Sequence, residues 1–186
     1  AKMVVVDVDH PDIEQFINWK VREEQKVAAL VSGSRMTEVH MNLVMQACVQ
    51  GCDGDEYEKD MDCNYDPKEN INLKTAILAA RKAMVPENYI QRVIQFAKQG
   101  YTEISFPVYD TDWDSEAYLT VSGQNSNNTV RITDKFLDKV LEDGDWELIQ
   151  RTDGSVSKRI KARELWDQIS QAAWACADPG LQFDTT

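Results

Sequence analysis

Three cysteines near the middle of the chain raise the question of a metal site. Cys48, Cys52 and Cys63 have three and ten residues between them, and His40 precedes them. Structural zinc sites usually bring thiolate and imidazole ligands in closely spaced pairs, and no fourth ligand is evident in this pattern. The spacing therefore favours reduced thiols, in a chain long enough to fold without disulfides.

An acidic stretch follows the second of these cysteines. Residues Gly51 to Glu69 hold eight carboxylates against two lysines. A calcium loop of the EF-hand type needs glycine at its sixth position and glutamate at its twelfth. In a loop that began at Asp53, these positions are occupied by Glu58 and Asn64, so the pattern is not met. The stretch is predicted to be a solvated loop and the first place that a protease cuts.

A second polar group lies where the first apolar run ends. Asp7, Asp9, His10 and Asp12 are residue types that hold metals or exchange protons. Side chains alternate across a strand, and Asp9 is placed to cap the helix that follows. A structural role is the favoured interpretation for all four.

Asparagines concentrate before a strand in the second half of the chain. Asn125, Asn127 and Asn128 precede the apolar residues that begin at Thr129. Amides at a strand entrance contact nucleotide edges or hold a turn through bonds to the backbone. The turn is favoured, and a nucleotide contact is kept as the alternative.

The last cysteine and two tryptophans share the final predicted helix. Cys176 falls on its apolar stripe, which predicts a packed thiol and not a radical or redox group. Trp166 and Trp174 are eight residues apart, so both can face the same way, and both are expected to pack.

Alternating strands and helices at the two ends of the chain must position these side chains. Pro11 opens the first helix, and Asp153-Gly154 predicts a hairpin. Thr133 caps a later helix, whose predicted buried stripe is Phe136, Leu137, Val140 and Leu141. The apolar runs at the two ends are typical of strands covered on both faces in a parallel sheet, and their missing neighbours predict a segment of a larger protein. The predicted strands are Met3–Val8, Thr129–Ile132, Trp146–Ile149, Val156–Ile160 and Leu181–Phe183.

The middle of the chain is predicted to be a mainly helical insertion, from residue 22 to residue 115. Its first helix is marked by Met36, Val39, Leu43, Val44 and Ala47. A second helix covers 71–84, and a third begins at Pro86 and stops at Gly100. A short strand is expected at 103–108.

The net charge restricts the classes of partner. At −12, the chain lacks the cationic surface that nucleic acid or an anionic membrane requires, which disfavours a helix-turn-helix DNA binder. The sequence contains no apolar run long enough for a membrane helix, and no signal peptide is evident, so a cytoplasmic location is expected.

Four strings stand out by their order and spacing: KMVVVDVDHPDIEQFINWKV (2–21), SGQNSNNTVRITDKFL (122–137), DGDWEL (143–148) and ARELWDQISQAAWACADPGLQFDTT (162–186). Together they resemble the catalytic barrel of class II, adenosylcobalamin-dependent ribonucleotide reductases in the long bacterial form: a strand leading into an HPDIE-type helix, an N-S-V-R-type strand, and a W-x-x-x-DPG turn. The second pattern reads NNTVR here, a small departure. Residues 22–115 resemble the insertion of the long members.

The resemblance implies part of a ten-stranded α/β barrel, divided here into 1–21, the insertion 22–115, and 116–186. In the family, adenosylcobalamin generates a thiyl radical on an internal loop, and a cysteine pair supplies electrons. The radical cysteine would follow Thr186, one redox cysteine would precede Ala1, and the loop for the deoxynucleotide effector would end near Ala1 and Lys2. No catalytic residue and no metal ligand are expected in this segment, and the chain alone is expected to be inactive.

Two functions from different classes follow. The first is a share in a reductase whose partners are the rest of its polypeptide, a ribonucleotide substrate and a deoxynucleotide effector, with no nucleic acid polymer and no membrane. The alternative is an acidic helical module without catalytic activity, in which residues 35–100 contact a protein partner.

Overall fold

The computed structural model describes residues 2–50, 52–53 and 62–184. The chain divides into two compact units, one of Ala1–Val27 with Tyr118–Thr186 and one of Ala28–Ala117. In chain order the elements are β1 (Lys2–Asp7), α1 (Ile13–Ile17), α2 (Trp19–Val49), β2 (Cys52–Asp53), β3 (Asp62–Cys63), α3 (Ile71–Lys82), α4 (Glu87–Lys98), α5 (Glu116–Leu119), β4 (Ser126–Ile132), α6 (Asp134–Leu141), β5 (Asp145–Ile149), β6 (Val156–Lys161), α7 (Ala162–Cys176) and β7 (Gly180–Phe183).

A three-stranded parallel sheet organises the first unit. The strand order is β1, β4, β7, with Val6 opposite Val130 and Val130 opposite Leu181. Parallel neighbours require crossover connections, which here contain the helices and the β5–β6 hairpin. Among the described residues the sheet does not close, and the outer edges of β1 and β7 pair with no strand.

The core of this unit lies on one face of the sheet. Alternation turns Val130 and Ile132 toward the helices, where they pack with Phe136 of α6 and Leu165 of α7. The opposite face includes Met3, whose side chain is 65% exposed. The expectation that the first strand is covered on both faces is therefore wrong for the described chain, because helices cover one face alone.

The predicted elements of the first unit are confirmed except at the first helix. Thr133 caps α6, its hydroxyl oxygen accepting a hydrogen bond from the Phe136 N–H at 3.3 Å. The Asp9 cap is wrong, since α1 begins at Ile13 and the Asp9 carboxylate pairs with Arg151. Carboxylates favour a charged hydrogen-bond partner over an exposed backbone amide.

Two other packing expectations in this unit need correction. Leu141 was assigned to the buried stripe of its helix and Trp174 to packing, yet they are 79% and 89% exposed. Each lies on the side of its helix away from the sheet. Trp166, by contrast, is partly buried against the core.

The second unit is built from the later part of α2 together with α3 and α4. The stripe predicted for α4 is confirmed, with Ile90, Val93, Ile94 and Ala97 all buried. Asn70 caps α3 by accepting a hydrogen bond from the Leu73 N–H at 2.9 Å.

The helix predicted around residues 36–47 is present as part of α2, with Val44 and Ala47 buried, but two other expectations for the second unit are wrong. Met36, Val39 and Leu43 are 44–53% exposed, because α2 turns Met41, Val44 and Met45 toward the core instead. The strand expected at 103–108 is absent from this described stretch, which runs without regular pairing.

Within the described part of the chain, no helix is both long and apolar enough to cross a lipid bilayer.

Candidate functional site

The strands of the parallel sheet begin at one end, called here its amino-terminal edge, which brings Lys2 together with the asparagines at the start of β4. The Lys2 N–H donates to the Asn125 carbonyl oxygen at 2.9 Å, and Lys2 lies opposite Ser126 in the ladder. Two groups more than a hundred residues apart in the chain therefore meet at one edge. Ala1, the other residue expected beside the effector loop, lies outside the described residues.

The three asparagines at this edge differ in their exposure and in their hydrogen bonds. Asn128 is buried, its N–H donating to Asp178 Oδ2 at 3.2 Å and its own Oδ1 accepting from Ser126 Oγ at 2.7 Å. Asn125 and Asn127 are exposed. Asn128 is thus occupied with holding the strand entrance, while the other two amides face solvent, where a nucleotide contact stays a prediction.

A buried ion pair stabilises this edge. Lys20 Nζ lies 2.8 Å from Asp178 Oδ2, with side chains only 16% and 8% exposed. Asp178 Oδ1 has no hydrogen-bond partner among the described residues. The pair links α2 to the turn that enters β7 and, through Asn128, to β4.

Sequence reasoning missed the role of Lys20 and Asp178. The Asp-Pro-Gly string was interpreted as a turn alone, and Lys20 was not singled out. Since no local pattern joins residues this far apart, the family-like DPG string was the one available signal.

The loop before β4 is fixed by two further contacts from α2. Trp19 Nε1 donates to Ser122 Oγ at 3.3 Å, and a carboxylate oxygen of Glu23 accepts from the Ser122 N–H at 3.1 Å. Hydrogen bonding from Lys26, and then from the Ser122 backbone, lowers the pKa of Glu23 although its burial opposes this. Gly123, at φ 76°, adopts a left-handed conformation that favours glycine and packs within reach of the indole.

The carboxyl-terminal edge of the sheet carries a network of paired charges. Arg131 Nε lies 2.7 Å from Asp7 Oδ1 and 3.6 Å from Asp184 Oδ1, so one guanidinium joins all three strands. These carboxylates raise the pKa of Arg131, with Asp7 the larger influence. Arg151 pairs with Asp9 in the same network.

The structural interpretation of the Asp7, Asp9, His10 and Asp12 group agrees with these contacts. His10 Nδ1 accepts from the Asp12 N–H at 3.0 Å, while the Asp12 carboxylate is 70% exposed. Among the described residues, no group of three or more His, Cys, Asp or Glu is arranged to hold a metal ion. A cavity of about 280 Å³ lies at this edge, lined in part by Asp7, Arg131 and Asp184.

The two cysteines with described side chains are poorly suited to nucleophilic chemistry. Burial raises the pKa of the Cys48 thiol to about 11. Burial is also the main cause of the raised pKa of Cys176, which donates to the Ala172 carbonyl oxygen. Thiolates are the reactive form, so both act as packing residues. The strands β2 and β3 place Cys52 opposite Cys63 in the backbone, and the acidic residues between them lie largely outside the described part.

Comparison with known proteins decides the family. The model of the ribonucleotide reductase barrel domain matches residues 1–186. The chain belongs to this family. It is 62% identical over 186 residues to a vitamin B12-dependent ribonucleotide reductase of Agrobacterium fabrum and to one of Bradyrhizobium diazoefficiens, in each case over 100% of this chain and 14% of the relative.

A more distant relative extends the match beyond these two. A vitamin B12-dependent ribonucleotide reductase of Streptomyces avermitilis is 28% identical over the whole of this chain and 12% of its own length. The similarity thus includes the middle part of the chain, and the chain spans about one seventh of the first two relatives. The resemblance predicted from the four strings is confirmed.

Proposed function

We propose that this chain is part of the catalytic subunit of an adenosylcobalamin-dependent ribonucleotide reductase. The whole protein converts ribonucleotides to deoxyribonucleotides by cobalamin-initiated thiyl radical chemistry. This segment supplies scaffold strands and an insertion, and the radical cysteine belongs to another part of the polypeptide. The partners of the whole protein are then a ribonucleotide substrate and a deoxynucleotide effector.

The observation that carries this proposal is the open parallel sheet of a chain that matches the barrel family from residue 1 to residue 186. Lys2 and Val8 donate to β4 at 2.9 Å, so the intervening N–H groups of Met3 and Val5 point to the other edge of β1. Unpaired backbone donors on an apolar strand are a template for another strand. In the whole protein they are supplied with neighbours, which together complete a ten-stranded barrel.

The amino-terminal edge is proposed to adjoin the effector-binding loop. Lys2 and Asn125 are hydrogen-bonded there, and Asn127 is exposed beside them. An ammonium group and two amides suit the phosphate and base edges of a deoxynucleotide. Asn128, Asp178 and Lys20 act as positioning residues, since their contacts hold the edge from within.

The division into barrel parts 1–21 and 116–186 with an insertion 22–115 is part of the same proposal. The long helix α2 begins near the first boundary and carries the chain into the second unit. The core of that unit is its own, formed by α2, α3 and α4.

The described residues do not fit the cobalamin cofactor themselves. A cavity of about 700 Å³ is lined mainly by charged side chains such as Lys139 and Glu142, which pair with one another at 2.9 Å. A corrin ring needs a broad and largely apolar surface. Cobalamin is accordingly assigned to other parts of the whole protein, and this segment contributes rigidity to the barrel.

The acidic helical module without catalytic activity is not favoured, because the family match extends over both units and not over the acidic middle alone.

An assay of the full-length protein tests the proposal. With adenosylcobalamin, a dithiol reductant and ribonucleotides, it is expected to form deoxyribonucleotides, and the 186-residue chain is expected to form none under the same conditions. Turnover by the full-length protein without cobalamin, or turnover by the 186-residue chain, would contradict it.

A further inference from the structure

The helix α3 differs in charge from the rest of this acidic chain. Its twelve residues include three cations and no acid, whereas the whole chain has a net charge of −12. Lys74 and Arg81 are two of the cations, and both are exposed. The helix therefore presents a local basic surface on the second unit.

The outward side of α3 also carries apolar side chains. Ile71 and Leu78 are 75% and 54% exposed, although the helix has a complete inward stripe of its own at Leu73, Ile77 and Ala80. Spacings of three and four residues place Ile71, Lys74 and Leu78 on one side of the helix. Apolar and cationic groups thus alternate along a solvent-facing surface.

A small cavity lies in this surface. Its volume is about 240 Å³, enough for one large apolar side chain, and the residues described in its lining include no acid. The lining combines an apolar floor with a cationic and amide rim, and consists of Pro67, Lys68, Lys74, Ile77, Leu78, Arg81 and Gln91.

The Glu87 carboxylate beside this surface is already occupied. Both oxygens of Glu87 accept from Arg81 at 2.8 Å, and Oε1 also accepts from Gln91 at 2.9 Å. Among the described residues, by contrast, no carboxylate forms an ion pair with the ammonium group of Lys68 or Lys74, and the Asp66 carboxylate accepts from the Lys68 backbone N–H instead. As far as the described side chains show, the Lys68 and Lys74 ammonium groups at the rim can therefore attract an anionic group.

We propose that this surface, formed by α3 with Pro67, Lys68 and Gln91, binds an acidic peptide segment of another protein, with one apolar side chain of the peptide in the cavity. Charge complementarity supports this occupant: carboxylates of the peptide pair with Lys68 and Lys74, while Ile77 and Leu78 receive the anchor. Interfaces commonly combine one buried apolar anchor with a polar rim.

Binding of a synthetic peptide to the 186-residue chain tests this proposal. The probe is a peptide with one phenylalanine between two runs of aspartates, and its partner probe replaces the phenylalanine with alanine. The first peptide is expected to bind saturably and less tightly as salt is raised, since salt screens the rim charges. Equal binding of both peptides, or no saturable binding, would overturn the proposal.

Variants locate the site. Lys74→Glu and Leu78→Ser, both at exposed positions, are each expected to weaken binding about tenfold, the loss of a single strong interface contact. Arg92→Glu is the matched control, because Arg92 is exposed on α4 in the same unit but does not line the cavity. It is expected to leave binding within about twofold, since exposed charges act weakly at a distance.

Two further outcomes would replace the acidic peptide as the occupant. Tighter binding of a single-stranded oligonucleotide than of the peptide, lost in Lys74→Glu, would point to nucleic acid. Self-association of the chain that Leu78→Ser abolishes would point to a second copy. Either result would overturn the proposal.

Discussion

Lys20 and Asp178 are the least exposed ion pair among the described residues, and they bear directly on the amino-terminal edge. Asp178 also accepts from the Asn128 N–H, so one carboxylate connects α2, β4 and the turn before β7. Burying a charge is costly unless its partner is present. The integrity of this edge should therefore depend on both members of the pair.

Lys20→Met is expected to destabilise the chain by about 3–5 kcal/mol, because it leaves the Asp178 carboxylate buried without its counter-ion. Urea denaturation measures the change. Lys158→Met is the control: its pair with Glu14 is at the surface, with side chains 53% and 32% exposed, and its loss should cost less than about 1 kcal/mol. Similar losses of unfolding free energy in the two variants would show that the buried pair stabilises the chain no more than the surface pair does.

Glu23 gives a pH-dependent prediction at the same scale. Its pKa is lowered in the folded chain from the ordinary 4.5, chiefly by the hydrogen bond from Lys26. The stabilisation by the ionised form is fully present above the unfolded pKa and is lost as pH falls through the folded value. The difference in unfolding free energy between the native chain and Glu23→Gln should thus shrink below pH 4.5. A difference that stayed constant down to pH 2, measured by denaturation in urea, would contradict this.

Among the elements, those predicted correctly from the sequence are the ones with strong local signals. Thr133 and the stripe of α4 are examples, since a cap and an apolar period both lie within a few residues. The errors concern long-range choices. Asp9 could not be assigned to Arg151 from local sequence, and the exposure of Leu141 and Trp174 depends on which side of each helix the sheet covers.

The candidate site was predictable only in part for the same reason. Asn125, Asn127 and Asn128 stood out as a polar group before a strand. The contact of Asn125 with Lys2 became visible only once the parallel pairing of β1 with β4 was known. Parallel pairing joins distant segments, and single-sequence patterns do not specify it.

Asn70 provides a prediction for the element that carries the basic surface. Its Oδ1 caps α3, while its Nδ2 donates to the Ala47 and Asn64 carbonyl oxygens at 3.0 Å each. Asn70→Ala should cost about 2–3 kcal/mol, the sum of a lost cap and of buried acceptors left unpaired. Asn70→Asp keeps the cap but loses both donations, so thermal or urea unfolding should place it between the native chain and the alanine variant. An alanine variant as stable as the native chain would refute this role.

At the scale of the whole molecule, the acidic stretch between Gly51 and Glu69 is expected to be the first site of proteolysis, because its sequence is polar and strongly charged. Limited digestion with a protease specific for acidic residues, followed by mass spectrometry, gives the order of cuts. Earlier cleavage within α3, α4 or the β5–β6 hairpin would contradict the prediction.

The sheet has two unpaired edges, at which further strands of the proposed barrel are expected to pair. Within the described chain β1 and β7 each pair on one side only, and Met3 and Val5 remain substantially exposed. A barrel removes both features at once, since closure gives every strand two neighbours. Backbone amides at these open edges should therefore exchange hydrogen faster in the 186-residue chain than in the full-length protein.

Amide hydrogen exchange at Met3 and Val5, compared between the 186-residue chain and the full-length protein, measures this most directly. Their N–H groups point away from β4, so they should exchange rapidly in the chain alone and slowly in the full-length protein, where a further strand accepts their hydrogen bonds. Equally rapid exchange in both would mean that no strand joins this edge and that the sheet is not part of a closed barrel.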